Sequence, residues 1–579
     1  MKKVILLVLI LLVIPIAFAK TAHMPLLAVK EKGAVIEGSV ADLYLDISPG
    51  TGRVFIETFP LTKVDTQIST RFAKDVACSY LNINCNQYDF FYTIKADSPI
   101  VGGPSAGAAT AVLTASSLLN LEISESTAIT GTINAGGLIG PVGGLREKID
   151  AAETINVTGI LIPEGELTQE IDNITVDLVE YAENRGIALA EVSNLNDAIY
   201  YFTGKRIKKP KETLIIDENY EKTMAKLAKL LCDRSQDLEE QLNQYEKIRL
   251  AGNDSMQALE KAQNLTQKGK QAFEDKQYYS SASYCFGASV KFRYLILKLK
   301  NRVDTEKLQQ DIDAFNENLE GTEIKTLTDL EAYMVVKERL QDAQDNLDNA
   351  KKTNETIEKT NHHAYATERI YSAYSWAEFF GKPGKEFELD RESLKEGCLS
   401  KISEAEERYQ YAKIFFENEL EKTKQELEYA YRDLEEAQYE LCIFRAAKTK
   451  AEADALLGLI GVEEKQLPTF IESKLDIVKQ ILIEEQEKGI FPILGYSYYE
   501  YANSLKEDDP FASLLYLEYA LELSNLDMYF KPAFEIIPEA KQSLELNIIL
   551  IFLFGAVFGF AISYLIKIKR PKKRKTSRR

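Results

Sequence analysis

The sequence predicts an α/β (α+β) domain, then a large all-α helical region, then one C-terminal transmembrane helix. Three observations carry this. Residues 24–204 alternate strand-like and helix-like segments. Over 212–545 glycine and proline thin out while Glu, Lys, Gln, Leu, Ala and Tyr dominate, a composition that favours helices. Residues 546–566, LNIILIFLFGAVFGFAISYLI, carry no charge, and as a helix they would span about 31 Å.

In chain order, residues 1–19 (MKKVILLVLILLVIPIAFA) place two lysines before an apolar run ending Ala-Phe-Ala, the pattern of a signal peptide. An uncleaved N-terminal anchor would leave the placement of the body unchanged. AVIEGSVADLYLDI (34–47) and GRVFIETF (52–59) flank the turn SPGTG and read as an antiparallel hairpin. Ile68, Phe72 and Val76 mark one face of a helix, and FFYTIKA (90–96) is the next strand. It leads into GGPSAG. After the alanine-rich run 106–119 come AITGTI, GILIP, a helix near 176–185, ALAEV and a short helix over 195–203.

Two residues in this domain point to chemistry. Ser105 follows Gly102, Gly103 and Pro104 and opens the alanine-rich run. A serine in the first turn of a helix sits where free backbone N–H groups favour a developing oxyanion; the alternative is a glycine turn with an N-cap serine. Lys148 lies 43 residues later and borders a stripe formed by Leu145, Ile149 and Ala152. A lysine there loses solvation and its pKa falls, as a general base near neutral pH requires; the alternative is a lysine whose ammonium snorkels to water. The chain has three histidines, His23, His362 and His363, and of these only His23 could serve a Ser-His-Asp triad in this domain.

GPSAG (103–107), TGTI (130–133), GPVGGLREK (140–148) and GILIP (159–163) together resemble the Lon protease family, the S16 serine peptidases. The Ser-to-Lys spacing is also the family's. The resemblance implies a Lon-type proteolytic fold over 24–204, with Ser105 as nucleophile, Lys148 as general base and the Thr130 hydroxyl near the lysine amine. Gly103, Pro104 and Ala106 complete the nucleophile motif. It also implies self-assembly into a homo-oligomer, a hexameric ring in the family. The sequence departs from many members at Gly102, where they carry an acidic residue, and Asp97 is out of register. Histidines found on the preceding strand of some members are absent from FFYTIKAD (90–97).

The remaining segments set the context. KRIKKPK (205–211) reads as a linker. Aromatic and small residues alternate in 271–289 and 498–521 in a manner similar to tetratricopeptide helix pairs, although no repeat period is kept. An irregular bundle with Tyr and Phe in its core, or a concave surface for extended polypeptide, would each fit. The tail KIKRPKKRKTSRR (567–579) contributes +9 to a net charge of −19 and the first three residues +2, leaving about −30 on 20–566. The basic tail would be cytoplasmic by the positive-inside rule, with the body outside on a single-pass anchor in the cell membrane. Five Asn-X-Ser/Thr sequons permit glycosylation there. An acidic body argues against nucleic acid. No GxxxxGK[ST] sequence occurs, and no cofactor or metal site is expected. The six cysteines suggest Cys78–Cys85, Cys232–Cys285 and Cys398–Cys442, or six buried thiols. The expected function is a membrane-anchored, ATP-independent serine endopeptidase acting on unfolded or flexible extracytoplasmic polypeptides. The alternative is a non-catalytic scaffold or receptor that uses the same domain for binding.

Overall fold

The computed structural model describes residues 21–533 except for 33–34, 82, 102–103, 172–173, 208–212, 246–252, 417, 460–461 and 463. A seven-stranded mixed sheet organises the first part of the chain, in the order β11-β8-β5-β1-β2-β4-β3. Its strands are β1 (Ala22–Lys32), β2 (Val35–Pro49), β3 (Val54–Thr62), β4 (Tyr88–Val101), β5 (Thr127–Ile129), β8 (Gly159–Pro163) and β11 (Ala188–Val192). Two short antiparallel pairs lie outside it: β6 (Thr132–Ile133) with β7 (Ile139–Gly140), and β9 (Thr168–Ile171) with β10 (Ile174–Asp177).

Side chains alternate across the sheet, and each face has its own core. Met24, Leu26, Leu43, Phe90, Tyr92 and Ile129 face α1 (Val64–Leu81) and α2 (Gly107–Leu118). Leu27, Ala128, Ile160 and Ile162 face α3 (Leu145–Thr154) and α4 (Leu178–Glu183). Helix α5 (Leu195–Thr203) joins the first face, capped by Asn194, whose side chain accepts from Asp197 N. Phe72 and Val76 on α1 are buried, as the helix pattern requires.

The hairpin expected between 34–47 and 52–59 is corrected. β2 pairs with β1 and with β4, and β3 pairs with β4 in parallel, so β4 lies between the two segments. Local alternation fixes which residues face the core but not which strand is the neighbour.

Among the described residues twelve α-helices follow: α6 (Glu218–Asn243), α7 (Asn253–Glu274), α8 (Tyr278–Lys300), α9 (Thr305–Leu319), α10 (Leu327–Lys352), α11 (Thr356–Trp376), α12 (Arg391–Phe415), α13 (Glu421–Glu435), α14 (Tyr439–Gly458), α15 (Leu467–Glu487), α16 (Ile493–Leu505) and α17 (Pro510–Ser524). Pairs such as α7–α8, α10–α11 and α16–α17 pack against one another. The aromatic residues at their interfaces are core: Tyr279 meets Trp376, Tyr498 and Tyr501, and Tyr498 meets Tyr519. Disulfides join Cys78 to Cys85, Cys232 on α6 to Cys285 on α8, and Cys398 on α12 to Cys442 on α14.

The sheet and the helical region share one compact unit, within Met1–Lys531, and Arg408 of α12 stacks over the Phe72 ring of α1, 3.4 Å from its centroid.

The expected C-terminal transmembrane helix is also corrected. Among the described residues no helix is long and apolar enough to cross a membrane. Long helices such as α6 and α10 carry many charged residues along their length. The segment 546–566, like the 1–19 segment and the basic tail, lies outside the described residues. The supported fold class is an α/β domain followed by a large helical region.

Candidate active site

Ser105 sits in a 3-10 turn, Pro104–Ala106, between β4 and α2. Gly103 lies outside the described residues. Ala106 holds the cap position of α2 and makes no side-chain cap bond, so Ser105 is not the helix's N-cap. Small residues let α2 sit close to its neighbours: Gly107 through Ser116 are all buried. A Cβ on Gly107 would come within 3.0 Å of Ile133 N and Cγ2. The Ser105 side chain is half-buried, and among the described residues its hydroxyl has no hydrogen-bond partner.

Lys148 is on the first turns of α3, on the opposite face of the sheet from the body of α2. Gly144, at φ +70°, starts that helix in a left-handed conformation, and a Cβ there would meet Val29 Cγ1 at 2.7 Å. Strand β2 also gives way to α3: a Cβ on Gly38 would fall 1.9 Å from the Glu147 carbonyl oxygen. The helix therefore lies flat on β1 and β2, and the Lys148 side chain is only 3% exposed. Its Nζ donates to Thr130 Oγ1 at 3.0 Å, and Thr130 is itself buried. Burial pushes the Lys148 amine down to about 8, against the opposing charges of Glu147 and Glu166. The snorkelling alternative does not describe this side chain.

One residue links the two groups. Gly131, next to Thr130, donates its N–H to Ser105 O at 3.1 Å and accepts from Ala108 N at 3.1 Å. Thr130 N in turn donates to Leu161 O of β8 at 3.1 Å. A Cβ on Gly131 would stand 2.6 Å from Ile139 Cγ2, so only glycine fits this crossing. The backbone after β5 is thus bonded to the turn that carries Ser105, while its threonine holds the lysine. No hydrogen bond is formed between Ser105 and Lys148 themselves. His23, the one histidine of this domain, bonds Asp42 at 2.8 Å on the β1–β2 pair.

A half-buried serine at a helix start and a desolvated lysine amine thus lie on segments joined through Gly131. The model of the Lon protease (S16) C-terminal proteolytic domain matches residues 87–198. The chain carries a Lon-family proteolytic domain. Over 122 residues it is 30% identical to the Lon protease of Paraburkholderia phytofirmans, a stretch covering 20% of this chain and 15% of that protein. The chain thus matches a small part of that relative's length. The Lon-family match begins at the 3-10 turn before β4, ends within α5 and includes Ser105, Thr130 and Lys148. It places the domain in a serine peptidase family, the coarse class expected from the motifs.

Sequence reasoning missed Gly131, whose signal was a glycine following the threonine of TGTI, and Glu166, one of two acidic residues after GILIP. It also missed Gln466, whose side chain donates to Glu166 Oε1 at 3.2 Å. A separation of 300 residues leaves no local signal for that contact.

Proposed function

We propose that this protein is a serine endopeptidase that uses Ser105 and Lys148 as a dyad and needs no nucleotide. The observation that carries the reading is the buried Lys148 amine, held by Thr130, one residue from the backbone bonded to the Ser105 turn. Near pH 8 a substantial fraction of this amine is neutral and can accept a proton. Ser105 Oγ attacks the scissile carbonyl while Lys148 Nζ takes the hydroxyl proton. The tetrahedral oxyanion is held by N–H groups at the start of α2. As the C–N bond breaks, Lys148 returns the proton to the leaving amine, and water then hydrolyses the acyl-serine by the same route. The missing Ser105–Lys148 hydrogen bond is compatible with this, because such bonds often tighten only with substrate in place.

Unfolded or flexible polypeptides are the proposed substrates. We place the body outside the cytoplasm on the strength of its three disulfides, which persist in oxidising compartments. The test is cleavage of an unfolded protein by the purified chain without nucleotide. Wild type should cleave and Ser105→Ala should not; equal cleavage by both would reject the dyad. One rival, a binding module without catalysis, is favoured by a Ser105 hydroxyl that has no partner among the described residues, and predicts that neither protein cleaves.

A further inference from the structure

A short hairpin lies between Ser105 and Lys148 in the chain, and its tip meets the helical region. Strand β6 pairs with β7 through Thr132 with Gly140 and Ile133 with Ile139. The arm that enters the hairpin carries Gly131, whose N–H is donated to Ser105 O at 3.1 Å. The arm that leaves it runs from Gly140 to Gly144, where α3, the helix of Lys148, starts. The two arms leave no room between them. A Cβ on Gly131 would stand 2.6 Å from Ile139 Cγ2, and one on Gly140 would stand 2.5 Å from Thr132 Oγ1. A displaced tip therefore carries both arms with it, because close-packed groups transmit strain.

The tip is the 3-10 turn Ala135–Gly137. Asn134, at its cap, makes no side-chain cap bond, and its buried Nδ2 has no hydrogen-bond partner among the described residues. Beyond its backbone bonds, the turn is held by packing. Gly136 is left-handed, at φ +73°, and a Cβ on it would meet Ile477 Cγ2 of α15 at 2.8 Å and Leu521 Cδ2 of α17 at 3.2 Å. A Cβ on Gly137 would meet Tyr80 Cδ2 of α1 at 3.2 Å. Helix α15 is itself tied to the domain elsewhere. Ser473 Oγ donates to Glu164 Oε2 at 3.2 Å, and Gln466, the cap residue of α15, donates to Gly165 O at 3.3 Å.

We propose that Ile477, through its Cγ2 methyl against Gly136, is a positioning residue for Ser105 and Lys148, so that the helical region completes the catalytic unit. The proposal rests on the Ser–Lys reading for its functional meaning. The series of contacts from Ile477 to Gly136, along the hairpin to Gly131 and on to the Ser105 turn, does not depend on it. Packed side chains and hydrogen bonds that touch in series are the physical route for such coupling. Ile477 acts through the hairpin and not on the reacting atoms.

Three variants of the full chain, compared with wild type, test this. Ile477→Ala removes the methyl that meets Gly136. Ile477→Val keeps that methyl and loses only Cδ1. Val478→Ala, one residue along the same helix, empties space in the helical core instead. Two quantities are read. One is the second-order rate of Ser105 labelling by a fluorophosphonate. The other is amide exchange of the peptide 128–133, which contains the Gly131 N–H bonded to Ser105 O. Ile477→Ala should label about tenfold more slowly, part of the roughly 10²-fold cost of a full 1 Å misplacement. Its 128–133 peptide should exchange about tenfold faster. Ile477→Val and Val478→Ala should match wild type in both, even if Val478→Ala lowers the thermal midpoint as much as Ile477→Ala does. Wild-type labelling by a folded Ile477→Ala, or equal slowing by Val478→Ala, overturns the proposal. Should Ile477→Ala not fold, Ile477→Leu, which keeps the volume but moves the branch off the β carbon, carries the same expectation. If wild-type Ser105 never labels, the dyad falls and exchange alone decides the coupling. Faster exchange confined to Ile477→Ala then supports it, and unchanged exchange rejects it.

Discussion

Replacing Gly38 with alanine tests whether the seat of α3 controls the proposed Ser105–Lys148 dyad. Gly38 lies on β2, remote from Ser105 in sequence, and touches neither reacting group. A Cβ there would stand 1.9 Å from the Glu147 carbonyl oxygen and 3.0 Å from Ala151 Cβ. An ordinary C···O contact is about 3.3 Å, so the helix must retreat by about 1.4 Å. Lys148 follows Glu147 in the chain, and its 3.0 Å bond to Thr130 Oγ1 would be stretched or lost. A misplacement of about 1 Å costs about 10²-fold in rate. Overpacking of this kind costs about 1–3 kcal/mol of stability, which a fold of this size can absorb. The assay is the second-order rate of Ser105 labelling by a fluorophosphonate, with the thermal midpoint and near-ultraviolet dichroism as folding controls. The expected result is a folded protein that labels about 10²-fold more slowly. Labelling within twofold of wild type by a folded Gly38→Ala would refute the idea that this close approach positions the lysine.

Further predictions follow from the same geometry. Labelling of Ser105 should rise with pH through about 8, where the Lys148 amine loses its proton; a flat profile from pH 6 to 9 would count against lysine as the base. Folding depresses the Lys148 pKa from 10.5 to about 8. The unfolded chain therefore binds more protons between these values, and stability is greatest above 10.5 and falls as pH drops to 8. Lys148→Met removes that dependence, so at pH 7 it should gain about 3 kcal/mol relative to its standing at pH 11, measured by denaturant unfolding at both pH values. Thr130→Val leaves the buried amine without its hydroxyl partner, and should slow labelling while costing about 1–3 kcal/mol in the same unfolding assay. Cys232–Cys285 and Cys398–Cys442 close loops of 53 and 44 residues, and in the chain-entropy picture each contributes about 4 kcal/mol. A reductant should therefore lower the thermal midpoint sharply, and an unchanged midpoint would argue against these bonds in the isolated protein.

Much of the α/β domain was legible because its signals are local. The helix over 195–203 has a side-chain cap at Asn194 and a left-handed Gly204 at its end. GILIP is a fully apolar run, and it forms a strand buried on both faces. The cysteine pairs were legible where each joins neighbouring helices or a helix and its next turn. Other features were not, for physical reasons. The alternation in β2 and β3 is genuine, but strand partners are set by packing over the whole sheet, and β4 entered between them. Lys148 borders the apolar stripe in sequence, and its full burial depends on a threonine hydroxyl 18 residues away. The grip of α15 on the loop after β8 joins residues about 300 apart and has no local signature. The aromatic residues of the helical region fitted a bundle core first and a concave surface second, and burial assigns Tyr279 and Tyr498 to the core.

The most direct measurement is the site of covalent attachment when the intact protein is treated with a fluorophosphonate, mapped by peptide mass spectrometry. The account predicts a single adduct on Ser105, abolished by Ser105→Ala and slowed by about 10²-fold or more in Lys148→Met at pH 8. An adduct on another serine, or a Lys148→Met protein that labels at the wild-type rate, would contradict it.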